Sequence, residues 1–288
     1  MKTKVLITVM TYPSLSHKYF ETVCTAGFRE DGSWIRIFPV PHRLLTDQDV
    51  NKYKKWQWIE VDLEKNKKDS RPESFHIKNI DTLRIVGNLS NKVNWDLRYE
   101  LVKKNKKIYT NMSELIDLAK ENKLSLAVLK PKEILDVTYQ RIDIHNFIEK
   151  RNALEKVYKS QRQQLELFNS NPVNDYSYQF KFAEKIPYTF RYKFTTDDAK
   201  VREILIEDWE IGMLYRNCRD KYRSEEIACE KVREKYLGFA KKDLLFFVGT
   251  NYKWQNMKSP NPFLVIGVFY APKGTFDRGN QLMLDFKG

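Results

Sequence analysis

Tyr188-Thr-Phe-Arg-Tyr-Lys-Phe194 alternates strictly between aromatic residues and polar or basic ones. Successive side chains of a β-strand point to opposite faces of the sheet, so the four aromatic rings share one face, and Arg191 and Lys193 share the other. Trp34-Ile-Arg-Ile-Phe38 alternates in a similar way near the other end of the chain. The two stretches predict half-buried strands whose basic positions could face a polyanion.

The composition is strongly basic. The 288 residues include 51 Lys and Arg against 38 Asp and Glu, which gives a formal charge of +13 at neutral pH. A surplus of this size favours nucleic acid or another polyanion as the partner. A lysine-rich surface that serves only solubility is the alternative. With 42% hydrophobic and 14% aromatic residues the chain can bury a core, which argues against global disorder.

The cysteines and the apolar runs bear on where the protein works. Cys24, Cys218 and Cys229 form no CxxC pair and cannot close a complete set of disulfides, which favours a reducing compartment. The apolar run Val5–Met10 is too short for a signal peptide, and no segment approaches the roughly 20 apolar residues of a membrane span. We therefore expect a cytoplasmic protein without a membrane partner.

The first part of the chain, residues 1–90, is β-rich in pattern. Asp-Gly within Glu30–Ser33 predicts a tight hairpin turn. We expect Pro39 and Pro41 to end the strand before them, because proline cannot donate a hydrogen bond to a sheet. Ile80–Val86 fits a strand or a short helix equally well. The predicted strands are Val5–Met10, Tyr19–Gly27, Trp34–Phe38 and Trp56–Leu63.

The middle segment, residues 91–169, is helical and charged. Ser113 is predicted to cap a helix over Glu114–Asn122, which carries an apolar stripe. Phe147–Asn169 is rich in charged residues and fits either a helix or a connector. Asn169–Asp175 is the predicted linker, because its residue types interrupt regular structure. Two short strands are predicted at Leu124–Leu129 and Ile134–Gln140.

The last part, residues 176–288, mixes strands and helices. Val201–Glu207 is predicted to form a hairpin with the strand that begins at Tyr188. Asp208 is placed to cap a helix, although Glu207, Asp208 and Glu210 could instead form an acidic metal cluster. The remaining predicted elements are a helix over 209–222, a second from Ser224 to Leu237, and buried strands at Asp243–Gly249 and Phe263–Tyr270. Together these patterns predict an α+β protein with a barrel-like N-terminal domain and a mixed C-terminal module.

Metal and cofactor chemistry find little support. The four histidines follow no HxxxH or HxH spacing, and the cysteines do not complement them, so we predict no metal site and no cofactor. Asp62, Glu64 and Lys67 lie at the end of a predicted strand, where restriction-type nucleases hold Mg²⁺. Glu64 and Lys67 are one residue too far apart for an ExK pair. A solvated strand end is the alternative.

Cys24 is the one cysteine considered as a nucleophile. It lies between apolar neighbours and a glycine. A catalytic thiolate needs a base or a positive charge beside it, which His17 or His42 would have to supply. A buried structural cysteine is the alternative. The phosphate-binding motifs GxGxxG and GxxxxGK[ST] do not occur.

Basic and aromatic residues are the remaining candidates. Arginine and lysine contact phosphates, and exposed aromatic rings stack on bases. Two loops that follow predicted strands, Tyr12–Tyr19 and Asp69–Ser74, add residues of the same kind. The predicted nucleic-acid-binding residues are Tyr12, Arg36, Arg43, Lys130, Lys132, Arg191, Tyr192 and Lys193.

Several segments resemble a family of uncharacterised bacterial proteins over nearly the whole chain. They are Thr11–Ser16, Val23–Gly27, Asp31–Pro39, Arg71–Ser74, Leu129–Lys132, Ile206–Glu210 and Phe247–Thr250. That resemblance implies no activity. In some relatives paired cysteines and a Gly-His precede the Asp-Trp-Glu element, but residues 195–202 here contain neither Cys nor His. The N-terminal part also loosely resembles the small β-barrels of the PUA and ASCH type, which often read RNA or modified bases.

We therefore expect a nucleic-acid-binding protein, with DNA and RNA not distinguished. A nuclease or another enzyme acting on nucleic acid or nucleotides, using Asp62, Glu64 and Lys67 or Cys24, is the alternative. A protein-interaction scaffold with a basic, solubilising surface is the third possibility.

Overall fold

The computed structural model describes residues 2–45, 52–89, 95–104, 106–168 and 182–278. Strands and helices both contribute substantially, so the predicted α+β class is confirmed. No helix in these ranges is both long and apolar enough to traverse a bilayer.

The N-terminal sheet closes on itself. Its strand order is β1-β5-β6-β4-β3-β2, and β1 also pairs with β3, so five strands form a ring to which β2 is added. All of these pairs are antiparallel except that of β4 with β6. The strands are β1 Lys2–Met10, β2 Ser14–Ser16, β3 Phe20–Arg29, β4 Trp34–Pro41, β5 Gln57–Lys65 and β6 Ser74–Asn88.

Alternating apolar residues fill this barrel. Val5 and Ile7 of β1 meet Ile35 and Ile37 of β4 in a core that excludes water. Strands β1 and β3 approach so closely that a Cβ on Gly27 would lie 1.8 Å from the carbonyl oxygen of Leu6. Ring closure therefore depends on glycine at that position.

Two sequence predictions for the barrel can be judged directly. The Asp-Gly turn is confirmed, because β3 and β4 form a hairpin and Gly32 has φ of +86°. The prediction that the strand ends at the prolines is wrong for Pro39 and confirmed for Pro41. Val40 pairs with Val23, so the ladder continues past Pro39, and the strand ends at Pro41, which pairs with Thr22. A strand tolerates proline where its missing N–H is not needed by the neighbour.

The C-terminal part contains two further sheets, with orders β13-β12-β8-β7 and β11-β10-β9. The predicted aromatic face of β10 is buried, and it packs with α4 and α5 in one core. The strands are β7 Ile108–Tyr109, β8 Leu126–Leu129, β9 Glu133–Arg141, β10 Tyr188–Thr195, β11 Arg202–Leu205, β12 Asp243–Thr250 and β13 Phe263–Ala271. The helices are α1 Trp95–Lys103, α2 Met112–Lys120, α3 His145–Phe168, α4 Trp209–Tyr222, α5 Glu225–Gly238 and α6 Tyr252–Asn256.

Helix starts follow the expected chemistry with one exception. The side chains of Asp208 and Ser224 accept hydrogen bonds from the first backbone amides of α4 and α5, as predicted. The predicted Ser113 cap is wrong. Asn111 caps α2 instead by accepting from the amides of Ser113 and Glu114. The hydroxyl of Ser113 donates to Asp198 over 2.6 Å, so it is used in another contact.

The barrel and the C-terminal sheets share a hydrophobic core. Leu6 and Phe28 of the barrel pack in one cluster with Phe247 and Ile266 of the C-terminal sheet. The division into residues 1–90, 91–169 and 176–288 stays a prediction. Strand β8 of the middle segment pairs with β12, and β9 pairs with β10. The predicted linker, 169–175, lies outside the described residues.

Candidate nucleic-acid interface

A groove of about 810 Å³ lies where the ends of β4 and β5 meet the start of β6. The turn between β2 and β3 contributes Lys18 and Tyr19, and the turn between β5 and β6 contributes residues 66–69 and Arg71. Tyr252 of α6 closes the wall from the C-terminal part. Residues far apart in sequence thus converge on one concave surface, as is usual for binding sites.

A buried ion pair fixes the turn between β5 and β6. Arg71 donates from Nε and Nη2 to the two carboxylate oxygens of Asp69, over 2.9 and 2.6 Å. Its Nη1 donates to the carbonyl oxygen of Thr250 at the end of β12, over 2.5 Å. Burial alone would raise the pKa of Asp69, but the hydrogen bonds and charge of Arg71 outweigh it, so the pKa lies below its ordinary value. The groove therefore has a rigid floor.

Four exposed lysines give the groove its charge. None of their ammonium groups forms an ion pair with a carboxylate among the described residues, and that of Lys18 lies 4.9 Å from the ring centre of Tyr19. Only two carboxylates line the groove, and Asp69 is already neutralised by Arg71. A concave surface of one sign concentrates its potential. The four lysines are Lys18, Lys67, Lys68 and Lys78.

Aromatic rings lie among these lysines. Tyr252 is 39% exposed, and its hydroxyl donates to the carbonyl oxygen of Lys68 over 3.2 Å. Its ring centre lies 5.3 Å from the guanidinium carbon of Arg71, so the guanidinium covers one face of the Tyr252 ring. Tyr19 and Phe38 are half-buried in the same wall. Lysines beside accessible rings are the elements from which single-strand binding sites are built.

Arg36 is not available to a phosphate, so that prediction is wrong. The side chain is 2% exposed and donates to the hydroxyls of Ser74 and Ser125, over 3.2 and 2.6 Å, and to the Ser125 carbonyl over 3.1 Å. Burial lowers the pKa of Arg36 to about 10. The alternation of Trp34–Phe38 misled because both faces of β4 are buried near Arg36.

The two predicted stacking residues differ in accessibility. Tyr192 is fully buried, and its hydroxyl donates to the carbonyl oxygen of Tyr236 over 2.9 Å, so the prediction that it stacks on a base is wrong. Tyr12 is half-buried. Its hydroxyl donates to the carbonyl oxygen of Glu184 over 2.7 Å, and its ring is stacked on Trp209 with centres 5.7 Å apart.

Four of the other predicted phosphate contacts do not line the groove, and their role stays a prediction. Lys130 and Lys132 line a separate pocket of about 330 Å³. On β10, Lys193 is paired across the sheet with Asp136 and Glu203. Arg191, on the same strand, does not line the groove either. The side chain of Arg43 lies outside the described part of the structure.

The weak catalytic candidates are not gathered into one site. Glu64 and Lys67 line the groove, whereas Asp62 does not, and Cys24 lines a different cavity. Oε2 of Glu64 lies 4.0 Å from Nε2 of His76. Within the described ranges, no three His, Cys, Asp or Glu side chains are grouped so that they could hold a metal ion.

The sequence predicts the two loops of the groove, one of which contains Lys18, and it offers Lys67 as a catalytic candidate. It does not predict Lys68 or Lys78. Lys67 and Lys68 stand in a solvated turn, which carries no motif of its own. Only the strand order brings that turn next to Lys18 and Lys78. The signal in the sequence was a cluster of cations at the ends of several strands.

Two family models match the chain. One, described as Domain of unknown function (DUF8758), matches residues 1–104. The other, described as Domain of unknown function (DUF8757), matches residues 108–285. No curated protein matches this chain.

Proposed function

Because the chain belongs to the DUF8757 family, whose description gives no activity, we propose from the geometry of the groove that this protein binds nucleic acid. The observation that carries the proposal is a set of four exposed lysines that form no ion pair with a carboxylate of the described residues and lie around accessible aromatic rings. A phosphate backbone neutralises such a row of charges, and its bases cover the rings.

A single strand fits the groove better than a duplex. The rings of Tyr19 and Phe38 are half-buried in the groove wall, and a base that is stacked within a duplex has no free face to place against them. Unpaired bases expose their faces for stacking, and the lysines follow the backbone. The proposal covers both DNA and RNA, because the lysines and the rings would contact the phosphates and base faces that the two share.

We also propose that the barrel is of the PUA or ASCH type. The ring of five strands with basic turns at one end supports that likeness. A bacterial, cytoplasmic setting completes the proposal, on the grounds of the family resemblance and of cysteines that form no disulfide set. The protein would then act as a reader or accessory factor in nucleic-acid metabolism or defence.

The test is the salt dependence of oligonucleotide binding. Fluorescence anisotropy with labelled 20-nucleotide single strands of DNA and RNA, between 50 and 300 mM KCl, gives the slope of the logarithm of the association constant against the logarithm of the KCl concentration. Each phosphate contact on a single strand contributes about 0.7 to that slope. Replacing the four groove lysines by glutamine is therefore expected to reduce the slope by about 3 and to weaken binding at low salt.

A matched variant makes the result specific to the groove. Four exposed lysines elsewhere, replaced by glutamine together, remove the same charge and should leave most of the slope intact. An equal loss in both variants would show only a general charge effect, and absence of binding at 50 mM KCl would refute the proposal outright. The control lysines are Lys156, Lys159, Lys200 and Lys235.

A further inference from the structure

A second cavity, of about 300 Å³, lies between the barrel and the C-terminal sheets. Its wall includes Cys24 of β3, the start of β10, and the junction of β11 with α4. Phe38 lines both this cavity and the groove. The two spaces therefore adjoin across one phenyl ring.

A carboxylate without a partner faces the cavity. Glu207 is exposed, and its side chain makes no hydrogen bond or ion pair with any described residue. Its backbone amide donates to the carbonyl oxygen of Val265 over 2.8 Å, so its position is fixed by β13. The surrounding protein raises the pKa of Glu207 by desolvation, against the opposing charge of Lys185. The backbone of Glu207 is thus held in place, and its carboxylate can accept hydrogen bonds from N–H donors of a ligand.

The next residue holds Glu207 in place and adds a second acceptor. Asp208 is fully buried, and its Oδ1 accepts from Lys55 Nζ over 2.5 Å and from the amide of Glu210 over 3.3 Å. Its Oδ2 is buried without a hydrogen-bond partner among the described residues. The start of α4 is thereby anchored to the barrel, which makes the cavity wall rigid.

The cavity is lined by rings and is small. Tyr12, Tyr188 and Phe190 form part of the wall, and the stacking of Tyr12 on Trp209 fixes that ring. A volume of about 300 Å³ is at the lower end for ligand pockets, which suits one nucleotide and not a chain of them.

We propose that this cavity binds a single nucleotide, turned out of a strand in the groove, with the edge of a guanine base against Glu207. This inference rests on the proposed function. Guanine presents two parallel N–H donors, N1–H and the 2-amino group, which match the two oxygens of one carboxylate. Adenine and cytosine present only an amino group there. Lys185 lines the same cavity and forms no ion pair within 4 Å with a carboxylate of the described residues, so its ammonium would neutralise the phosphate.

The first test uses free nucleotides and the full chain. Isothermal titration calorimetry should give the order GMP, then IMP, then AMP, CMP and UMP. IMP lacks the 2-amino group, and the loss of one hydrogen bond corresponds to roughly tenfold weaker binding. Glu207→Gln should weaken GMP at least tenfold and reduce its advantage over IMP. Glu203→Gln removes the same charge from the exposed face of β11 and should change neither value.

The second test uses the cavity's own thiol as a reporter. Cys24 is partly accessible and lines the cavity, and burial raises the pKa of its thiol against the opposing charge of Arg36. Bound GMP should slow its alkylation by iodoacetamide, measured by mass spectrometry. Cys218 is also partly accessible but does not line the cavity, so its alkylation should be unaffected.

The outcomes separate the two proposals. Equal binding of all five nucleotides, or no protection of Cys24, overturns the nucleotide cavity even if oligonucleotides still bind the groove. GMP binding that survives in the four-lysine variant supports the cavity, even where oligonucleotide binding by the groove has failed. The GMP and IMP comparison needs no variant, and melting temperatures verify that Glu207→Gln is folded.

Discussion

Arg36 is expected to be one of the most important side chains for stability. It connects the barrel to the C-terminal sheets, because it donates to Ser74 of β6 and to Ser125 just before β8. Glu73, which is half-buried, accepts from the hydroxyl and the amide of Ser125, so the four side chains form one network around the buried Arg36. Replacing Arg36 by methionine keeps much of its aliphatic volume and removes all of its donors.

The expected loss follows from those contacts. Breaking a buried, charged hydrogen-bond network by removing one member costs about 3–5 kcal/mol. For a chain of this size that corresponds to a fall in melting temperature of roughly 10 °C. Urea unfolding followed by tryptophan fluorescence, together with thermal melts, gives both quantities for Arg36→Met.

Two comparisons decide whether this reasoning holds. Arg141 is exposed and pairs with Glu225 on the surface, so Arg141→Met should cost no more than about 1 kcal/mol. A double-mutant cycle of Arg36→Met with Ser125→Ala should show a coupling of about 1–3 kcal/mol. A loss below about 1 kcal/mol, with a reduced salt slope of oligonucleotide binding, would refute the reasoning and restore Arg36 as a phosphate contact.

Two further predictions concern Asp198 and Gly212. Hydrogen bonds, first from Arg202 and then from Ser113 and Thr196, hold the pKa of Asp198 well below its ordinary value. The ionised Asp198 carboxylate contributes to the free energy of unfolding above about pH 4, and this contribution is lost as the pH falls further. Asp198→Asn should therefore lower the free energy of unfolding by about 2 kcal/mol at pH 7, and the difference from the wild type should shrink in acid. An unchanged difference between pH 7 and pH 3, in urea midpoints, would contradict this. Gly212→Ala places a Cβ 2.3 Å from the ring of Tyr12 and should lower the free energy of unfolding by about 1–3 kcal/mol. Gly238 lies at the end of α5 with open space around it, so Gly238→Ala should leave the melting temperature unchanged or raise it. Equal melting temperatures for the two variants would show that the Tyr12 ring can move away from the new Cβ without loss of stability.

Local patterns were sufficient for most of the secondary structure. The alternation of Tyr188–Phe194 correctly predicted a strand with one aromatic, buried face. Asp208 and Ser224 marked helix starts because side-chain oxygens satisfy the first amides. These features depend on residues close together in sequence, so one chain is enough to recognise them.

The site depends on long-range geometry, and there the sequence was insufficient. Arg36 and Lys193 look alike in sequence, but one is buried between two sheets and the other is exposed on one of them. Nothing local shows that Phe38 lines two cavities. Nothing local shows either that the Glu207 side chain makes no hydrogen bond or ion pair within the described ranges while Asp208 next to it is paired. Closure of the ring through β1 and β3, and through β4 and β6, determines these outcomes.

The core in which Phe28 and Phe247 pack together has a practical consequence for the expression of separate parts of this chain. The two family matches meet near residue 105, which invites expression of either half alone. Each half would then expose the apolar surface of the shared core to solvent and should precipitate or bind chaperones. Co-expressed as separate polypeptides, the halves should instead complement one another and purify together.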